Sequence, residues 1–196
     1  MASYKSCFKT FQSEPLPEII YTDTSFFVEA LVYGQRYHKE TIDFIGKLAK
    51  AQPVIVFSEI LKSELRCSIL SICIRNQFGG DKIKVTDKIK ESPELIHKYF
   101  SEIQKQENNF MGILQRFKDW TSIPLDEKIS KKSLEVMQKY RLASYDAVHI
   151  ATMESWNIKD IVTLDGGLSD LPQYRANSFI WSVNGWVKYK TRHKIK

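Results

Sequence analysis

The chain has 196 residues, 43% of them hydrophobic, and a formal net charge of +6, enough length for one α/β domain with a sizeable core and some insertions. No apolar run approaches the roughly 18 residues of a membrane span, and Lys5, Gln12, Ser13 and Glu14 interrupt the stretch where a signal peptide needs its apolar region, so a cytosolic protein without membrane contact is expected. Cys7, Cys67 and Cys73 are odd in number and lack metal-site spacing, which argues against a disulfide framework or a zinc cluster; the basic balance favours anionic partners such as nucleic acid without selecting one.

Residues 1–17 mix aromatic and polar types without a period, and Pro15 and Pro17 favour an extended entry into the first strand, so this segment reads as an N-terminal extension. Ile19-Ile20-Tyr21-Thr22 is a short apolar run of the kind that forms a buried parallel strand. It delivers Asp23 to its carboxyl end, with Thr24 or Ser25 placed to cap the helix that follows. That helix carries Phe27, Val28, Leu31 and Val32 at helical spacing to about Tyr33, and Gly34 is its stop signal. A second helix, from Tyr37 to Lys50, places Ile42, Ile45, Leu48 and Ala49 on one face. Val54-Ile55-Val56-Phe57 is then a second buried strand, with Ser58 as the cap of the next helix. Strand, helix, helix, strand is the order a right-handed parallel crossover needs.

The helix after Ser58 turns Ile60, Leu61, Leu65, Ile69 and Ile72 inward and carries Glu64 in its second turn. Beyond Arg75 the pattern breaks. Gly79-Gly80-Asp81 reads as a turn, and Lys82, Lys84, Lys88 and Lys90 make residues 76–92 a basic, weakly ordered insertion. Pro93 opens a long polar helix to about Phe117, with Leu95, Ile96, Tyr99, Ile103, Phe110, Ile113 and Leu114 as an uneven apolar stripe. Ile123-Pro124-Leu125 reads as a short extended link, and Asp126 caps a helix with Ile129, Val136, Met137 and Tyr140 on one side. Residues 142–153 form a largely apolar helix with Asp146 in its first turn, and Ala147 and Ala151 allow close packing on a sheet. Ile161-Val162-Thr163-Leu164 repeats the opening device, a β-branched strand ending at an acid, Asp165, and a flexible turn. Phe179-Ile180-Trp181 reads as the last strand, followed by a basic tail, residues 183–196, with Lys188, Lys190, Arg192, Lys194 and Lys196.

Each acid alone has an ordinary explanation. Asp23 suits an N-cap, Glu64 a solvated helix face, Asp146 the compensation of a helix dipole, and Asp165 a turn. Together they call for more: Asp23 and Asp165 follow apolar strands, Glu64 lies just past another strand end and Asp146 opens a mostly buried helix, so all four can converge at one edge of a parallel sheet, where open α/β sheets bind ligands. Clustered carboxylates repel one another unless a cation neutralises them. A hard divalent ion, Mg²⁺ or Mn²⁺, prefers oxygen ligands, and such an ion activates water and stabilises the charge developing on a phosphodiester.

The order of Asp23-Thr24-Ser25 after a strand, Glu64 on the helix after Val54-Ile55-Val56-Phe57-Ser58, the run Ser144-Tyr145-Asp146-Ala147-Val148-His149-Ile150-Ala151-Thr152, and Val162-Thr163-Leu164-Asp165 resembles the PIN-domain ribonucleases, especially the VapC-like toxins. The resemblance runs from Ile19 to Trp181. It implies a three-layer α/β/α fold with a central parallel sheet over residues 18–182, Mg²⁺- or Mn²⁺-dependent endoribonuclease activity on RNA, and often a homodimer neutralised by a small antitoxin. It further implies that Asp23 and Asp146 hold the metal, that Glu64 and Asp165 bind it directly or through water, and that Ser25 and Thr163 are hydroxyls beside the site. Glu59 is the rival for the second acid, but its place in the first turn favours Glu64. Lys82, Lys84, Lys88 and Lys90 and the tail are candidates for salt-sensitive phosphate contacts. His149 reads as a structural histidine on a packed helix, and Trp120, Trp156, Trp181 and Trp186 as core or interface residues. A haloacid-dehalogenase-type phosphatase needs a second Asp where this chain has Ser25. The alternative that stays open is a catalytically inactive PIN-like module that binds RNA or protein.

Overall fold

The computed structural model describes residues 7–80, 82–166, 168 and 178–183. Thirteen elements follow one another among them: β1 (Phe8–Thr10), β2 (Ile19–Thr22), α1 (Thr24–Leu31), α2 (His38–Ala51), β3 (Val54–Ser58), α3 (Ile60–Phe78), α4 (Val85–Glu91), α5 (Glu94–Leu114), β4 (Trp120–Ile123), α6 (Glu127–Tyr140), α7 (Ser144–Ser155), β5 (Asp160–Val162) and β6 (Phe179–Ser182). The strands form one sheet in the order β1-β6-β5-β2-β3-β4, and each pairing is parallel. From β2 the chain steps outward to β3 and β4, then returns to lay β5 on the other side. The switch between β2 and β5 leaves a crevice beyond their carboxyl ends.

Period-two alternation assigns the strand residues to two cores. Ile20, Ile55, Phe57, Val162 and Trp181 face one side, where Phe26 and Phe27 of α1, Phe44 and Leu48 of α2, Leu61 and Leu65 of α3 and Phe110 of α5 cover them. Tyr21, Val56, Ile161 and Ile180 face the other, beneath Ile129 and Val136 of α6 and Ala147, Ile150 and Ala151 of α7. The result is the expected three-layer α/β/α arrangement around a parallel sheet. No helix among the described residues is long and apolar enough to cross a membrane.

Several local expectations are corrected. Residues 8–10, within the segment read as an extension, pair with β6 as an edge strand, and Trp120–Ile123, ahead of the expected link, pairs with β3 as the opposite edge. Ser58 does not cap α3: it is the last residue of β3, its register partner is Ile123, and the N-cap position falls to Glu59, which makes no side-chain capping bond. The helix does not break at Arg75. It runs to Phe78 and ends where Gly79, at φ +95°, takes the left-handed conformation that lets its amide reach the Arg75 carbonyl. The segment read as weakly ordered contains α4, which packs on α3 and α5. Ile42 and Ile96, expected to face inward, are exposed, and Thr41 and Phe44 take the buried positions on α2. Gly167 and the tail cations Lys188, Lys190, Arg192, Lys194 and Lys196 lie outside the described residues.

Candidate active site

Asp23 is both the first residue past β2 and the N-cap of α1, a role expected of Thr24 or Ser25. Its amide donates to the Val162 carbonyl at 3.3 Å, which ties the end of β2 to the end of β5. The residue is only 4% exposed. Oδ1 accepts from the Ser25 hydroxyl at 2.7 Å and the Phe26 amide at 3.2 Å, and Oδ2 accepts from the Thr163 hydroxyl. Both hydroxyls also accept backbone amides that follow β5, Ser25 reaching across to Leu164 at 2.8 Å and Thr163 taking that of Asp165, two residues on, at 2.9 Å. Burial pushes the Asp23 pKa above the ordinary carboxylate value, against the nearby His149 charge and these hydrogen bonds.

Glu64, in the second turn of α3, points one oxygen at two donors: Oε2 accepts from the Thr24 hydroxyl and lies 3.0 Å from His149 Nε2. Among the described residues Oε1 has no protein donor. His149 is 3% exposed and lies 2.8 Å through Nδ1 from the Tyr21 hydroxyl, which accepts the Ser58 amide at 3.1 Å. With that amide already on the Tyr21 oxygen, the hydroxyl proton is free to point at Nδ1, which leaves Nε2–H to donate to Glu64. Burial opposes the His149 charge, but the Glu64 hydrogen bond and charge, with Asp23 and Asp146, raise its pKa. Burial likewise works against the Glu64 charge, and the His149 bond and charge, helped by Thr24, hold its pKa below the usual value.

Asp146 and Asp165 occupy the open side. Asp146 is half-buried in the first turn of α7, and its pKa is raised to about 6 by burial first and then by the charge of Asp165, with partial relief from His149. Asp165 is exposed just past β5. All four acids line one cleft of about 310 Å³ together with Thr24, Ser25, Ser68 and His149. Among the described residues Asp23, Glu64 and Asp146 make no ion pair with Lys or Arg, and His149 compensates them only when it is protonated.

Glu59 is not part of this cleft: its carboxylate accepts the Leu125 amide at 2.8 Å. Lys82, Lys84, Lys88 and Lys90 do not line it either; they lie in and before α4, and Lys88 is engaged with Glu91 and the Phe78 ring. Glu29 does reach the cleft, although its Oε2 holds the Tyr37 amide. Tyr21, Thr24 and His149 were not among the expected site residues. The position of His149 three residues after Asp146, one helical turn on, was the available signal.

The donor set is all hard oxygen around a deficit of positive charge, which fits a Mg²⁺ or Mn²⁺ ion that keeps several of its waters. Among the described residues no three His, Cys, Asp or Glu side chains form a ready-made metal-binding group, so an ion here would be held by few carboxylates and by water.

A parallel sheet covered on both faces, with an acid at the end of each of two adjacent central strands, defines an α/β/α protein whose cleft lies at the topological switch of its sheet. The chain belongs to the PIN domain family, whose model matches residues 20–173. In fold it is similar to VapBC2 of Rickettsia felis, solved bound to a DNA fragment from their promoter, with 16% identity, a TM-score of 0.52, and coverage of 84% of this chain and 98% of that one. It also matches VapC20 of Mycobacterium tuberculosis, a sarcin-ricin loop cleaving toxin, at 15% identity and a TM-score of 0.48, covering 78% of this chain and 94% of that one. A toxin–antitoxin complex from Klebsiella pneumoniae matches at 16% identity and a TM-score of 0.46, covering 82% and 99%. No curated protein matches the chain.

Proposed function

We propose that the chain is a Mg²⁺- or Mn²⁺-dependent endoribonuclease that hydrolyses RNA phosphodiester bonds, and that it is the toxin of a toxin–antitoxin pair. The observation that carries this reading is the convergence of Asp23, Glu64, Asp146 and Asp165, supplied from four places in the chain, on one cleft. Membership of the PIN domain family supports the nuclease chemistry, and the VapC-like order of the motifs adds a small antitoxin and a second copy of the chain as partners.

Asp23 and Asp146 would hold the ion, with Glu64 and Asp165 bound to it directly or through water. When bound, it neutralises the acids, activates a water and offsets the charge that develops on the phosphate. Asp23 keeps a fixed orientation because both of its oxygens are held from opposite strand ends. Thr24 and His149 occupy one oxygen of Glu64 and leave the other available to the cleft. Asp146, with a pKa near 6, is ionised at neutral pH and offers its charge on the accessible side.

A second reading, a PIN-like module that binds RNA or protein without cutting, is favoured by the lack of a ready-made metal group among the described residues. The discriminating experiment is incubation of mixed RNA with the purified protein in Mg²⁺, in Mn²⁺ and in chelator, with Asp146→Asn alongside. Metal-dependent cleavage lost in the variant supports the nuclease. No cleavage under either metal, with both proteins folded, leaves the binding module.

A further inference from the structure

Glu64, Ser68, Ser71 and Arg75 recur along α3 at i, i+4, i+7 and i+11, so they form one stripe. Ser68 lines the acid cleft beside Glu64, and it also lines an adjoining groove of about 390 Å³ with Ser71, Arg75, Val28 and Gln35. Because the two cavities share Val28 and Ser68, the groove continues the cleft along α3. Eleven residues of helix place Arg75 about 16 Å from Glu64, the length of about five stacked nucleotides and of fewer in an extended strand.

Among the described residues lining the cleft and groove, Arg75 is the one Lys or Arg. Its Nε is buried and has no hydrogen-bond partner among the described residues, an arrangement that costs free energy until an acceptor arrives. Arg66 on the same helix shows the satisfied alternative, with Nε and Nη2 donating to Glu107 at 3.0 and 2.7 Å. A polyanion approaching four carboxylates is repelled, so a cation close to the cleft is needed to hold it. A guanidinium matches phosphate with parallel donors, and serine hydroxyls add further donors along the way.

We infer that the face of α3 from Glu64 to Arg75 is a track for the RNA backbone, on which the Arg75 guanidinium holds a phosphate several nucleotides from the one that is cut. This inference rests on the RNA-cleaving reading of the cleft. The test uses the full chain carrying Asp146→Asn, so that RNA stays intact, and a fluorescein-labelled single-stranded RNA of about twelve nucleotides, titrated by anisotropy at several salt concentrations. Arg75→Gln is expected to weaken binding roughly 5- to 10-fold and to flatten the plot of log affinity against log salt by about 0.7, the share of one phosphate contact on a single strand. Arg75→Lys keeps the charge and retains the slope. Should Arg75→Gln lower the melting temperature, Ser71→Asp places a negative charge on the track with Arg75 in place, and unchanged binding by it overturns the inference. Equal affinity and slope in a folded Arg75→Gln overturn it as well and leave a protein partner as the occupant of the groove. If the Asp146→Asn chain binds no RNA at all, the inference and the RNA reading fall together, whereas bound RNA with an unchanged slope removes the track alone.

Discussion

The Thr163 hydroxyl donates to Asp23 Oδ2 while its oxygen accepts the Asp165 amide at 2.9 Å, so one side chain couples the acid at the end of β2 to the acid that follows β5. Ser25 repeats the arrangement on Oδ1, donating to Asp23 and accepting the Leu164 amide. The two strand ends are thereby tied together through the carboxylate proposed to hold the metal.

Thr163→Val keeps a β-branched side chain and removes both bonds. Cleavage is expected to fall roughly 10- to 100-fold, the usual effect of removing a group that orients a metal ligand. Stability should fall by about 1–3 kcal/mol, because a buried carboxylate oxygen loses its donor. Urea denaturation and initial cleavage rates measure the two; wild-type rates would show that the tether is unnecessary.

Asp146, with its pKa raised from 3.8 to about 6, is less comfortable as a charge in the folded chain than in the unfolded one. Such a group costs stability while ionised, fully above about pH 6, and the cost disappears as pH falls below the unfolded value. Asp146→Asn should therefore stabilise the metal-free protein at pH 7 by about 1 kcal/mol once solvent screening of this half-exposed group is discounted. That is a melting rise of roughly 2–4 °C, alongside loss of cleavage. A lower melting temperature would contradict the strain assigned to this acid.

His149 and Glu64 support each other in a defined pH window. The raised His149 pKa adds stability that is present below pH 6.5 and lost as pH rises through the folded value, while the lowered Glu64 pKa adds stability present above pH 4.5 and lost as pH falls through its folded value. Both contributions are complete between pH 4.5 and 6.5. His149→Gln is expected to cost roughly 3 kcal/mol there, as for one partner taken from a buried pair, and less at pH 9. Unfolding by urea at pH 5.5 and 9 makes the comparison, and equal losses would mean that the bond carries no charge assistance.

Metal binding should compete with protons, because the pKa values of Asp23 and Asp146 are both raised and ligation needs their ionised forms. Mn²⁺ is expected to raise the melting temperature more at pH 7.5 than at pH 5, and calorimetry at pH 6 in two buffers of different ionisation enthalpy should register proton release. The same Mn²⁺ shift at both pH values would remove these carboxylates from the ligand set.

The central strands were legible because both of their faces are buried: Ile19–Thr22 and Val54–Ser58 are short apolar runs with an acid or hydroxyl at or beyond the end, and the run read at Ile161–Leu164 overlaps β5, which spans Asp160–Val162. The edge strands were not. Among the described residues Phe8–Thr10, three residues long, pairs only with β6, and Trp120–Ile123, half polar, pairs only with β3, so neither has the two-sided burial that leaves an apolar run. Ser58 looked like a cap because a serine before a helix usually is one, but continued pairing with β4 keeps it in the ladder.

Local periodicity and strand-end chemistry, both imprinted by burial on neighbouring residues, determined the α/β class, the parallel strands and the four acids worth following, and the order of the motifs supplied the resemblance that implied three layers. Only the tertiary structure decided what those acids do to one another. His149 meets Tyr21 and Glu64 across 128 and 85 residues of chain, and Thr163 meets Asp23 across 140. The crossovers that place β5 beside β2 set those distances, and no local pattern of residues encodes them.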